Sequence, residues 1–153
     1  MSRSGADLAL LLLGGYRSMV DAATSELAAR GYPDFKPLHE FALRAIVAGA
    51  DSASDLGRRT AVTKQAAAKT IAVLVERGYV VSEPHPTDAR RNRLRVTARG
   101  FDVMALGESI LDEHRARWAA QLGAHRLVEL EAQLAVLVGD AAIRIDAPGS
   151  IGS

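Results

Sequence analysis

Hydrophobic residues recur at helical spacing over most of the chain. From residue 6 to about 30, apolar positions lie three or four residues apart without an intervening proline, and Gly31 and Pro33 follow. The pattern therefore predicts a helix that ends at this glycine. The pair Gly14 and Gly15 predicts a bend or a close helix crossing, because each glycine costs about 1 kcal/mol relative to alanine. The same spacing predicts further helices at residues 37–49, 98–120 and 123–143.

Between the second helix and residue 78, the pattern predicts two helices joined by a short turn. Ser52 or Ser54 caps a short helix that ends near Arg59, and Thr63 caps a longer one that ends at Gly78. The apolar stripe of the longer helix is Ala67, Ile71, Leu74 and Val75. Two helices joined in this way form a helix-turn-helix. Small helical bundles also contain such pairs, so the pair alone does not establish DNA binding.

Strand-like alternation is confined to the segment after this helix. Residues 79–83 are rich in β-branched and aromatic side chains, and in residues 94–97 apolar and polar positions alternate. The loop between them, PHPTDARRN, contains two prolines, which are typical of a sheet edge. A helix-turn-helix followed by a basic hairpin is a winged helix. The predicted fold class is therefore mainly α with a small β-hairpin (α+β), a winged helix-turn-helix.

Charge is distributed unevenly along the chain. The formal net charge is only +1, but residues 58–99 hold ten basic and three acidic side chains. The rest of the chain holds nine basic and fifteen acidic residues. A solvated charged face is the common explanation of a basic run, but here the excess coincides with the predicted winged helix. We therefore expect this third of the fold to contact a polyanion.

Composition excludes several classes of protein. The chain contains no cysteine, which excludes a disulfide framework, a thiolate metal site and cysteine-based catalysis or redox sensing. The longest apolar run, residues 8–13, is too short to cross a bilayer, and no signal-peptide cleavage pattern follows it. We therefore expect a cytoplasmic protein with no membrane partner.

The sequence carries no motif of a known enzyme class. It has no glycine-rich phosphate loop, nucleophile elbow or recognisable carboxylate pair, and its four histidines lack metal-ligand spacing. We predict no enzymatic activity, no cofactor and no metal site. His85 is expected to be a loop residue, and His114 to be exposed to solvent or packed in a dimer interface.

Residues 88–100 follow the pattern D-x-R-x-x-x-L-x-V-T-x-x-G. Its defined positions are Asp88, Arg90, Leu94, Val96, Thr97 and Gly100. Together with the preceding helix-turn-helix and the order of elements, this phrase resembles the MarR family of bacterial transcriptional regulators. The hairpin phrase is the specific part of the resemblance.

The resemblance implies a homodimer whose N- and C-terminal helices, in residues 1–35 and 101–146, intertwine. Residues 36–100 are then the winged helix-turn-helix lobe, and 147–153 a flexible tail. Two lobes would read a pseudo-palindromic operator in double-stranded DNA. Many members release DNA when a small, often aromatic or phenolic, effector binds between the dimerisation and DNA-binding regions, so such a ligand is expected here.

If the longer helix docks in the major groove, its exposed face consists of Lys64, Gln65, Ala68 and Lys69. Gln65 can present a donor and an acceptor to adenine, and a lysine can donate to guanine or phosphate. Ala68 is short enough to contact a thymine methyl, and Thr63 would contact phosphate at the helix start. The competing explanation is an ordinary exposed face of an alanine-rich helix.

The hairpin loop combines one acid with several arginines. Asp88 is unfavourable in a polyanion-binding loop unless it shapes the loop, most simply by pairing with an arginine. By the resemblance, Asp88 orders the loop and Arg90 enters or spans the minor groove, whose narrow A·T tracts attract guanidinium groups. Phosphate contacts are expected from Arg91, Arg93 and Arg95, and further backbone contacts from Arg58 and Arg59.

Effector binding rests on weaker signals. Side chains that could line a cleft between the regions are Tyr16, Met19, His39, Phe41, Met104 and Trp118. Packing in the core or the dimer interface competes as an explanation for all of them. The absence of cysteine excludes sensing by thiol oxidation. A different class of function stays open as well, a winged helix that uses its basic hairpin to bind an acidic protein partner.

Overall fold

The computed structural model describes residues 3–139. Within this range the elements are α1 (Gly5–Ala29), α2 (Pro37–Val47), α3 (Ala53–Thr60), α4 (Lys64–Glu76), β1 (Val80–Pro84), β2 (Asn92–Val96), α5 (Ala98–Leu122) and α6 (Ala124–Val138). The predicted fold class, mainly α with one antiparallel hairpin, is confirmed. The predicted helical residues 140–143, the end of the predicted region 101–146 and the predicted tail 147–153 lie outside the described residues. No helix within residues 3–139 has the length and apolar character needed to cross a bilayer.

Side-chain caps fix where α3 and α4 begin. Ser52, rather than Ser54, caps the shorter helix, since its hydroxyl accepts a hydrogen bond from the amide of Asp55 at 3.2 Å. Thr63 caps α4 as predicted, accepting from the amide of Ala66 at 3.0 Å. A cap of this kind contributes about 1 kcal/mol to helix stability. Local sequence therefore sets where each of the two helices begins.

The core of the winged-helix lobe surrounds α2, which packs against α3, α4, β2 and α5. Leu43 of α2, Leu56 of α3 and Leu74 of α4 are buried in one cluster with Val80 of β1 and Val103 of α5. Each side chain of this kind contributes about 1.5–3 kcal/mol when it is fully removed from water. The same cluster continues into α1 through Leu27 and into α5 through Ile110, and it holds α4 and the hairpin in place.

The buried face of α4 differs from the predicted stripe at one position. Ala67 and Leu74 are buried as predicted and Ile71 is half-buried against the core, but Val75 is exposed and Thr70 is buried instead. The hydroxyl of Thr70 donates to the carbonyl of Ala66 at 3.1 Å, so its polarity is satisfied within the helix. The stripe prediction counted only apolar residues and therefore missed this threonine.

The long helices α1 and α5 cross closely near one glycine. A methyl group on Gly15 would lie 3.3 Å from Cη2 of Trp118, which confirms the predicted close crossing. The adjacent His114 is buried, with Nε2 3.3 Å from Oγ of Ser18 and Nδ1 3.1 Å from a guanidinium nitrogen of Arg117. Of the two alternatives expected for His114, solvent exposure is wrong, because α1 covers this face of α5, and packing in a dimer interface stays a prediction.

The threonine and glycine at the end of the hairpin phrase join the hairpin to α5. The hydroxyl of Thr97 donates to the carbonyl of Gly78 at 2.6 Å and accepts from the amide of Gly100 at 3.2 Å. A methyl group on Gly100 would collide with the carbonyl oxygen of Tyr79 and lie 2.6 Å from Cγ1 of Val96. Glycine is therefore the residue that permits α5 to start this close to the strands.

An aromatic cluster connects the lobe to the end of α1. Tyr79 packs edge-on against Phe35, with ring centres 5.5 Å apart, and lies 6.4 Å from the ring of Tyr32. The guanidinium carbon of Arg99 lies 5.0 Å and 5.1 Å from the two tyrosine ring centres. Such cation–π contacts contribute about 0.5–2 kcal/mol each. The cluster ties the α1–α2 loop, the first strand and the start of α5 together.

Candidate nucleic-acid interface

A tight turn sets the angle between α3 and α4. Ala61 adopts a left-handed conformation, with φ of 57°, directly after α3. A methyl group on Gly57 would lie 2.9 Å from the carbonyl oxygen of Val62. Only glycine at position 57 therefore allows α3 and the turn to approach each other this closely. The result is the helix-turn-helix that the sequence predicted.

The outer face of α4 is polar and free of acids at its start. The residues predicted to face DNA are all exposed, namely Lys64, Gln65, Ala68 and Lys69. Ala67, Thr70 and Leu74 hold the opposite face in the core. The first turn of α4 contains no acidic residue, so its unpaired amides and the helix dipole favour an anion there. Thr63 is exposed at this end, with its hydroxyl engaged in the cap.

The hairpin forms the wing. Its strands pair antiparallel from Val80 opposite Val96 to Pro84 opposite Asn92, and the amide of His85 donates to the carbonyl of Arg91 at 2.9 Å across the loop. The wing therefore extends from the lobe as a two-stranded ribbon with a short closed loop.

One carboxylate shapes the tip of the wing. Asp88 accepts a hydrogen bond from the backbone amide of Arg90 at 3.1 Å, and its own carbonyl accepts from the amide of Arg91 at 3.1 Å. Nε of Arg90 lies 3.6 Å from the same carboxylate, while the side chain remains 94% exposed. An Asp side chain that accepts a hydrogen bond from the backbone amide two residues later forms a turn. The arginine at the tip is thus held at its backbone and left extended at its guanidinium.

The other wing arginines are paired with acids that the sequence predictions did not include. Arg91 donates to Asp51 at 3.0 Å, which ties the wing tip to the segment before α3. Arg93 and Arg95 both donate to Glu83, at 3.0 and 3.1 Å. These hydrogen bonds, from Arg95 first and then Arg93, lower the pKa of Glu83 below its usual value. All three arginines keep part of their side chain in solvent.

The two arginines of α3 differ in availability. Arg58 is exposed and pairs with Asp55 at 3.1 Å. Arg59 is only 20% exposed and donates to both Asp55 and the carbonyl of Ala48, at 3.2 and 3.1 Å. Burial by itself raises the pKa of Asp55, but the bonds from Arg59 and Arg58 outweigh it and bring the pKa below its ordinary value. Arg59 therefore braces α3 against the end of α2, and Arg58 is the one that faces solvent.

The missed acids differ in how visible they are in the sequence. Asp55 lies three and four residues before the two arginines, a spacing that places all three on one face of α3. Glu83 lies directly opposite Arg93 in the strand register, so hairpin pairing alone could have identified it. Asp51 is 40 positions away from Arg91 in the chain, and no local pattern connects them.

His85 and His39 both form contacts that stabilise the local fold. His85 lies in the wing loop, where its Nδ1 is 3.2 Å from the amide of Thr87. His39 is buried at the start of α2, where Nδ1 accepts from the amide of Lys36 at 3.0 Å and the ring packs on Phe35. Burial, followed by the charges of Arg77 and Lys36, lowers the pKa of His39. Within residues 3–139 no group of three metal-binding side chains comes together.

A cavity of about 80 Å³ opens between α1, α2 and α5. Of the side chains proposed for an effector site, Phe41 lines it. Met104 packs against the core, and Trp118 lies near Gly15 and His114, away from the lining of this cavity. Tyr16 is exposed and Met19 half-buried. The structure therefore does not bring the proposed effector residues together around one cavity.

Known proteins share the order of helices and strands described above. Residues 34–91 match the sequence model of the MarR family. No curated protein matches the chain in sequence. Among solved structures, the chain is similar to Streptococcus pneumoniae FabT in complex with DNA, with a TM-score of 0.72 and 14% identity over 88% of this chain and 94% of that one.

Two further structures have the same fold. One is a variant of S. aureus MepR bound to an oligodeoxyribonucleotide, with a TM-score of 0.59 and 17% identity over 88% of this chain and 98% of that one. The other is wild-type MarR from E. coli in its apo form, with a TM-score of 0.66 and 18% identity over 90% of this chain and 99% of that one. At these identities the likeness establishes a shared fold.

Proposed function

We propose that the chain is a homodimeric transcriptional regulator of the MarR type that binds a pseudo-palindromic operator and leaves it when a small ligand binds. The match of residues 34–91 to the MarR family model supports this proposal. Residues 36–100 are the DNA-binding lobe in this proposal, and residues 1–35 and 101–146 the dimerisation region. The observation that carries it is the exposed, acid-free start of α4 beside a wing of arginines. The FabT and MepR structures contain DNA, which supports the same function here.

In this proposal α4 enters the major groove and reads base edges. Gln65 is exposed one residue into the helix, where its amide can donate to and accept from adenine. Lys64 and Lys69 contact guanine or phosphate, and Thr63 and the first amides of α4 hold a phosphate. The closed core behind Ala67 and Leu74 keeps this face rigid.

The wing contributes in two ways. Arg90, extended from the tip, enters the minor groove, where a narrow A·T tract attracts its guanidinium group. Arg91, Arg93 and Arg95 contact phosphates. Because their partners Asp51 and Glu83 already fix their positions, these arginines lose less conformational freedom on binding than unpaired side chains would.

A second copy of the chain is the occupant we propose for the exposed apolar faces of the terminal helices. In the first half of α1, the exposed leucines are Leu8, Leu10, Leu11, Leu12 and Leu13. On α6, Val136 and Leu137 are 81% and 80% exposed. Monomeric proteins rarely expose contiguous apolar patches of this kind. In a symmetric dimer these faces are buried on both copies of the chain. The dimer also holds two lobes at a fixed separation, as the two half-sites of a pseudo-palindromic operator require.

Selection of bound sequences from random duplex DNA, followed by salt titration of the selected and a random duplex, tests the proposal. We expect an inverted repeat whose half-sites lie about one helical turn apart, with affinity that falls steeply with salt. A basic module for an acidic protein partner would enrich no sequence and would bind both duplexes equally. That outcome would reject the regulator in favour of the interaction module.

A further inference from the structure

The cavity between α1, α2 and α5 has apolar walls and one carboxylate. Its walls are formed chiefly by Val20, Ala23, Leu27, Phe35, Phe41 and Leu111, and Glu40 also lines it. Its volume of about 80 Å³ is roughly half that of an apolar cavity of about 150 Å³ that binds benzene. A ligand that fits here is small, or leaves part of itself in the opening.

Glu40 uses only one of its carboxylate oxygens within the fold. Oε1 accepts from Nε of Arg44 at 2.7 Å, whereas Oε2 is buried and receives no hydrogen bond from any residue in the range 3–139. A methyl group on Gly107 would lie 3.8 Å from this oxygen, so Oε2 faces the α5 side of the cavity. A buried acceptor without a donor is costly, and more so when it is charged.

The charges around Glu40 are unbalanced towards the negative. Arg44 is shared, because its guanidinium group also lies 3.8 Å from the carboxylate of Glu108. Two carboxylates therefore share one half-buried cation, and of the two Glu40 is the buried one, because Glu108 is 63% exposed. Lys36 lines the cavity as well, but its side chain is exposed and solvated. A ligand that supplies both positive charge and an N–H donor satisfies Oε2 and corrects the imbalance, whereas an anion meets Glu40 unfavourably.

We propose that this cavity binds a small apolar ammonium ion, whose N–H donates to Oε2 of Glu40 while its hydrocarbon part packs against Leu27, Phe35 and Leu111. The inference names the ligand class for the release step, and in that respect it rests on the proposed function. The cavity is bounded by α1 and α5 of the proposed dimerisation region and by α2 of the lobe. An occupant therefore contacts both parts and can change their relative position.

Binding to the DNA-free protein tests the site directly. Suitable probes are cyclopentylamine and its near-isosteres cyclopentanol and cyclopentanecarboxylate, measured by ligand-observed NMR and calorimetry near neutral pH. We expect the amine to bind with a dissociation constant on the order of 1 mM. The alcohol should bind more weakly, and the carboxylate should not bind measurably.

Three variants separate charge from shape. Glu40→Gln should weaken amine binding about 10- to 100-fold, because it replaces a charge-assisted hydrogen bond with a neutral one. The matched control Glu108→Gln removes the same charge outside the cavity and should change amine affinity less than about threefold. Gly107→Ala places a methyl group inside the cavity without a clash and favours the helix, so it should remain folded and weaken amine and alcohol alike.

Several outcomes would overturn the proposal. These are equal or tighter binding of the carboxylate, amine binding that survives Glu40→Gln, amine binding unaffected in a folded Gly107→Ala protein, and failure of all three probes to bind. Operator affinity with and without the amine is measured separately. If the amine binds through Glu40 but DNA affinity does not change, the site stands and the release step of the proposed function fails.

Discussion

The winged-helix lobe and the terminal helices use their apolar residues in opposite ways. In α2, Ala42, Leu43 and Ala45 are all at most 1% exposed. In α6, Leu127 is the buried residue, and the apolar side chains further along face solvent. The apolar residues of α2 therefore lie at the centre of the buried cluster, which also includes Leu27 of α1 and Ile110 of α5. The terminal helices instead leave apolar side chains exposed, among them Leu10, Val136 and Leu137, and this difference is the reason that we propose a second copy of the chain as their partner.

The largest effect is expected where the lobe's core is densest. Leu43→Ala removes a fully buried side chain and should lower the free energy of unfolding by about 2–5 kcal/mol, from lost burial and the cavity left behind. The matched change Val47→Ala, at an exposed position of the same helix, should cost less than about 0.5 kcal/mol. Urea denaturation of both variants measures the contrast. Equal losses would mean that the core is not closed around α2.

The terminal helices should respond through association rather than through the fold of one chain. Val136→Asp places a charge at an exposed position, so helix content should hold, but the proposed dimer should weaken roughly 10-fold or more, since valine burial contributes about 1.5–3 kcal/mol. Val75→Asp, at an exposed valine of the lobe, serves as the control and should leave association unchanged. Analytical ultracentrifugation at several concentrations checks both. An unaffected dimer would exclude this part of α6 from the interface.

Within the lobe, base reading and phosphate binding can be separated. Gln65→Ala should lower the discrimination between operator and random DNA by about 1–3 kcal/mol, because one base contact is lost. Arg91→Ala should weaken both duplexes similarly and reduce the log–log salt slope by about one unit. Fluorescence anisotropy titrations at several salt concentrations distinguish the two. Equal weakening of both duplexes by Gln65→Ala would mean that α4 has been oriented wrongly in the groove.

Much of the lobe could be predicted because its determinants are local. Short stretches of sequence determine the helix caps at Ser52 and Thr63, the turn between α3 and α4, and the alternation in the hairpin. Each of these features depends on residues within a few positions, so periodicity and side-chain chemistry were sufficient.

What sequence did not reveal depends on residues far apart in the chain. His114 is buried because α1 folds back over α5, and its partner Ser18 lies 96 positions away. The pairing of Asp51 with Arg91 and the orientation of Glu40 towards Gly107 likewise arise only after packing. No pattern of neighbouring residues in the sequence specifies contacts between such distant positions. The effector residues proposed from sequence failed to converge on one cavity for this reason, since side-chain type does not determine spatial neighbourhood.

A smaller effect is expected at the wing tip, where Asp88 opposes the charge of the surrounding arginines. Asp88→Ala makes the loop more positive, so a simple electrostatic pad would bind DNA more tightly. Because Asp88 holds the backbone of Arg90, we expect operator affinity to fall instead, by about 1 kcal/mol for the lost hydrogen bond. Anisotropy titrations at two salt concentrations measure the change. Tighter operator binding by the variant would reject the ordered-wing interpretation.

The smallest effect concerns pH at the junction of the two regions, where His39 lies beneath Phe35. Burial lowers the pKa of His39 below the ordinary histidine value of about 6.5, so the unfolded chain takes up a proton at a higher pH than the folded chain does. The stability that His39 contributes is therefore complete above about pH 6.5 and is lost as pH falls through its lower folded pKa. Protonation also removes the acceptor that Nδ1 offers to the amide of Lys36.

His39→Gln tests this linkage, because glutamine at the third helical position can still accept from the preceding backbone amide but does not titrate. Unfolding free energies from urea denaturation at about pH 7.5 and about pH 5.5 should differ more for the wild type than for the variant. Carboxylates titrate in both proteins and cancel in the comparison. If both proteins lost the same stability over this interval, His39 would not be a pH-sensitive contact at the start of α2.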